Sequence, residues 1–118
     1  MWLDNLAERT SPISANASGV KASFLISSPL RVYGWTVYSS RTSLQYILVF
    51  DASTLPADAS VPLFALQVDA SSVNGVFFGP MGRVFQQGLV LCNSSTDTTK
   101  TVGSADCFFD VQYDWLGG

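Results

Sequence analysis

The chain has 118 residues, a formal net charge of -3 and a charged fraction of 13%, about half of the roughly 25% usual in globular proteins. That length suits one domain with its own core. The six basic residues are scattered, which excludes a nucleic-acid partner. No apolar run approaches the roughly 20 residues of a membrane-spanning helix, which excludes a membrane partner of that kind.

At the N-terminus, Asp4 and Glu8 stand where a secretory leader would carry basic and then apolar residues, so the product is expected to stay where it is made until lysis. Residues 1–12 allow one helical turn with Trp2, Leu3 and Leu6 on a side, ended by Pro12. Residues 1–17 therefore read as an N-terminal arm, and 18–118 as the domain. From Val20 onward the chain reads as strand and turn. Strands are expected over 20–27, 30–38, 43–50, 61–68, 73–78, 88–93 and 106–113, with SSP, SSRT, DASTLPADAS, DASS, GPMG and a Ser/Thr-rich loop between them. This pattern predicts an all-β fold: a single antiparallel β-sandwich or jelly-roll-like domain of seven to eight short strands.

The strands carry apolar side chains on both faces. In the second, Arg31, Tyr33, Trp35 and Val37 alternate with Val32, Gly34, Thr36 and Tyr38. In the third, Leu44, Tyr46, Leu48 and Phe50 oppose Ile47 and Val49; near the end, Leu89 and Leu91 oppose Val90 and Cys92. A sandwich strand should be polar on every second position. Two explanations stand: a second copy or another protein covers the outer face, or a bulge shifts the faces and lone surface hydrophobes account for the rest. On the first, Tyr33, Trp35 and Val37 form the candidate subunit interface, and the arm residues Trp2, Leu3 and Leu6 dock onto a neighbour.

The chain has no histidine, so the usual general base and the commonest metal ligand are both missing. Asp106, Asp110 and Asp114 recur every fourth residue, which on a strand sets them about 13 Å apart, too far to share an ion or a scissile bond. No catalytic, metal or cofactor-binding residue is expected, and no cofactor. Cys92 and Cys107 flank the Ser/Thr-rich loop as possible hairpin neighbours; reduced, buried thiols are expected of them. GPMG (Gly79 to Gly82) reads as a tight turn with positive φ, or as a loop packing at a symmetry axis.

The succession VYGWTVYSS, LQYILVFDAS, VP, FFGPMGRVFQQGLVL, a Thr/Asp-rich loop and VQY resembles small β-sandwich virion proteins of tailed bacteriophages. The resemblance spans about Ser18 to Tyr113. It rests on Gly34, Trp35, Tyr38, Phe50, Gly88 and Tyr113 in order, and transfers no active site. It implies a virion location after assembly in the host cytoplasm, and a capsid decoration or cement protein that binds the major capsid protein or other virion proteins as a homo-oligomer, a trimer. The other function it allows is a tail-fibre or receptor-binding module for a bacterial surface glycan.

Overall fold

In a computed structural model, which describes residues 23–101, 103 and 106–115, the chain is an all-β protein of two antiparallel sheets packed as a β-sandwich. Among the described residues there are eight strands and no helix: β1 Ser23–Ile26, β2 Leu30–Ser39, β3 Gln45–Phe50, β4 Phe64–Val68, β5 Val73–Phe77, β6 Arg83–Phe85, β7 Leu89–Ser94 and β8 Cys107–Trp115. The first sheet has the order β1-β7-β3-β4. In the second, β2 is the hub: β8 pairs along one edge, while β5 and then β6 share the other. The arm, with Trp2, Leu3 and Leu6, lies outside the described residues.

Most of the core follows from alternation. Ile47 and Val49, Leu89 and Leu91, and Cys107, Phe109, Val111 and Tyr113 all point between the sheets, so β3, β7 and β8 each turn one parity into the core between the sheets. Strand β6 has only three residues, too few to show a period, and it was not among the expected strands. The GPMG segment is a turn with positive φ at Gly79 (88°) and Gly82 (67°), and the Gly82 N–H donates to the Gly79 carbonyl.

Strand β2 departs from the expected parity. Its register against β8 slips between Val32, opposite Tyr113, and Gly34, opposite Gln112, which leaves Tyr33 as an extra residue. A bulge of this kind moves every later side chain to the other face. Leu30 and Val32 point inward before it, and Trp35 and Val37 point inward after it. The expected interface is corrected accordingly. Trp35 is 3% exposed and Val37 is fully buried, so both belong to the chain's own core, and Tyr33 is half-buried at the bulge.

The two-sided pattern of β3 and β7 has a different origin. Leu48, Phe50, Val90 and Cys92 form a second buried cluster on the outer face of the first sheet, with Tyr46, Ala52 and Ala65 packed against it. The chain covers this face itself. A neighbour is not needed to bury it, which corrects the expectation drawn from these strands.

The β6–β7 turn ties the two ends of that arrangement. The Asp51 carboxylate accepts the backbone N–H groups of Gln86, Gln87 and Gly88, and Gly88 sits where a Cβ would lie 2.3 Å from the Ile26 carbonyl oxygen and 2.5 Å from that of Ala52. Backbone cannot yield as a side-chain tip can. Gly88→Ala is therefore expected to lower stability by about 1–3 kcal/mol, read as a fall in melting temperature of several degrees; an unchanged melt would show that the turn has room.

Candidate functional site

Three places in the sandwich gather polar or reactive groups. The first is a buried polar cluster built from β2, β3, β7 and β8. The Gln45 Nε2 donates to Ser39 Oγ (2.7 Å), Asp106 Oδ1 (3.0 Å) and Cys107 Sγ (3.3 Å), and Asn93 Nδ2 donates to Asp106 Oδ1 (3.0 Å). The Cys107 thiol donates in turn to Asp106 Oδ1. Burial, and then that hydrogen bond to Asp106, push the Cys107 thiol up to about 12. It stays neutral near pH 7, and a neutral, inaccessible thiol is a poor nucleophile. The cluster joins the two sheets and holds the chain at Asp106; it has no open position for a substrate. Asn93, first residue of the Asn93-Ser94-Ser95 sequon, is buried within it.

Cys92 and Cys107 are both free and buried. They are not hairpin neighbours: β7 lies in the first sheet and β8 in the second, and Cys92 faces the outer cluster while Cys107 faces the core between the sheets. Burial pushes the Cys92 thiol up to about 11, in spite of the nearby Lys100 charge, which favours the thiolate.

The second place is the loop over residues 51–63. The Lys100 side chain is only 5% exposed, and its Nζ lies 2.8 Å from Asp58 Oδ1. The Ala59 N–H donates to the Lys100 carbonyl and the Lys100 N–H to the Ser60 carbonyl, both at 2.8 Å. The loop is thereby pinned to the β7–β8 connection. To solvent it turns Leu55, Val61 (74% exposed) and Leu63 (50% exposed) together with Ser53, Thr54 and Asp58.

The third is a groove of about 200 Å³ on the outer face of the second sheet, lined by Gly34, Trp35, Thr36, Val76, Phe77, Asp110 and Gln112. Register explains it. Gly34 pairs with Phe77 on one side and Gln112 on the other; Thr36 pairs with Gly75 and Asp110. Gly34 and Gly75 leave two positions of this face bare, and a Cβ on Gly34 would lie 2.5 Å from the Val76 carbonyl oxygen. Tyr38 and Phe108, with ring centroids 6.0 Å apart, stand on the same outer face.

Of the residues expected at an interface, the structure places Trp35 and Val37 in the core, Tyr33 at the bulge, and Trp2, Leu3 and Leu6 outside the described residues. Among the described residues no group of three His, Cys, Asp or Glu side chains could hold a metal ion. Sequence reasoning missed the pinned loop because its anchor, Lys100, lies about 40 residues further along the chain. Comparison with family models, curated proteins and solved structures finds no match to the chain.

Proposed function

We propose that the chain is a structural protein of a phage virion, a decoration or cement protein that works by contact and binds between capsid subunits as a homo-oligomer, a trimer. The sequence resemblance supplies the setting. The observation that carries the contact role is the pinned loop. Ordering its backbone costs about 1–2 kcal/mol per residue, and a loop that meets only water is better served by polar side chains. This one is fixed by a largely buried lysine, yet it presents Leu55, Val61 and Leu63, with Ser53, Thr54, Asp58 and Ser60 among them. An aliphatic centre with polar neighbours has the composition of a protein contact.

Native mass spectrometry and light scattering at tens of micromolar test the proposal. The wild-type chain is expected at the mass of a trimer. The double variant Val61→Asp, Leu63→Asp is expected as a monomer that keeps a strand spectrum, because both side chains stand outside the core and a desolvated carboxylate opposes docking. A wild-type monomer throughout that range, or an oligomer indifferent to both substitutions, contradicts the assignment.

A further inference from the structure

We infer that the groove on the outer face of the second sheet is a saccharide site that takes one neutral sugar ring. The inference does not rest on the virion assignment, since the groove and the pinned loop belong to different sheets' outer sides.

The chemistry of the lining selects the ligand. Phe77 is 76% exposed, a flat apolar wall of the kind that meets an apolar ring face. Across bare Gly34, at two strand spacings or about 9.5 Å at the backbone, stands Gln112, and one row along stand Thr36 and Asp110. None of the Thr36, Asp110 or Gln112 side chains has a hydrogen-bond partner among the described residues. An ionised carboxylate only accepts, whereas a carboxamide and a hydroxyl both donate and accept.

A ligand that answers this set offers several O–H donors, some oxygen acceptors and one apolar face. A sugar ring has all three. An anionic ligand is opposed by Asp110, because no cation among the described residues lines the groove. A simple ammonium would satisfy Asp110 and leave Gln112 and Thr36 unmatched. The volume, below the roughly 300–1,000 Å³ of pockets for drug-sized ligands, sets the ligand at one ring, held weakly.

The test is an amide-shift titration of the isotope-labelled full chain with glucose, galactose, N-acetylglucosamine and rhamnose, each taken separately to tens of millimolar, and with lysine amide as the cationic comparison. At least one sugar is expected to shift the amides of Gly34, Thr36, Gly75, Phe77 and Gln112 saturably. Phe77→Ala and Asp110→Ala should each weaken that sugar about tenfold or more. Both side chains are exposed, so the rest of the spectrum stays in place, and Gln112→Ala provides an independent third variant. If no sugar of the panel shifts these amides, if the shifts survive the substitutions, or if lysine amide binds and no sugar does, the inference is wrong.

Discussion

Trp35→Ala is expected to destabilise the isolated chain by about 3–5 kcal/mol, the range for removing a large aromatic side chain from a core. The indole stacks on Phe64 at 6.1 Å and 15° and meets Phe78 edge-on at 5.6 Å, and the Arg83 guanidinium lies over the rings of Phe64, Phe78 and Phe85. Deleting it opens a void beside several rings at once. Against a total of about 5–15 kcal/mol for a domain, the loss brings the chain close to unfolding at room temperature. Trp35→Phe should cost less, since a ring remains and the indole N–H, buried with no acceptor among the described residues, goes with the substitution. Urea denaturation measures both. Had the side chain faced a neighbouring copy, the alanine variant would lose assembly and keep its denaturation midpoint; that outcome would restore the interface reading of β2.

Stability should fall steeply above pH 9. Cys92 and Cys107 have thiols raised from 9.0 to about 11 and about 12, and burial raises the Tyr113 phenol in the same direction. In the unfolded chain the thiols ionise near pH 9; in the folded chain they keep their protons. The unfolded state then binds fewer protons, so stability declines with rising pH. The contribution is whole below pH 9 and is lost as pH rises through about 11 and 12, at about 1.4 kcal/mol per pH unit for each thiol. Urea midpoints at pH 8, 9, 10 and 11 trace the decline. Cys92→Ala and Cys107→Ala should each flatten it, and a profile identical in wild type and both variants would mean that the thiols ionise in the fold as they do in water.

Much of the fold was legible because period-2 alternation survives in most strands. The opposition of Leu89 and Leu91 to Val90 and Cys92 reads directly from the sequence and holds in the structure. The bulge stood only as one of two explanations and could not be placed, because an inserted residue such as Tyr33 bears no mark of its own and reverses every inference after it. The anchoring of the 51–63 loop was hidden for another reason: the bonds that pin it run to Lys100, a long-range pairing that local pattern cannot show. Asp110 and Gln112 could be placed on one face of β8, but the groove needs β2 and β5 beside them. Gly34 and Phe77 join it only through register.

That one chain closes both of its apolar faces, and leaves the pinned loop for contact with others, is tested most directly by thermal unfolding of the double variant Val61→Asp, Leu63→Asp over a range of protein concentrations. A folded monomer that melts in one cooperative step, at a temperature independent of concentration, is the expected result. A compact but loosely packed monomer that binds a hydrophobic dye and loses its cooperative melt would show that a neighbouring copy is needed to cover Leu48 and Val90, and would contradict the fold's self-sufficiency.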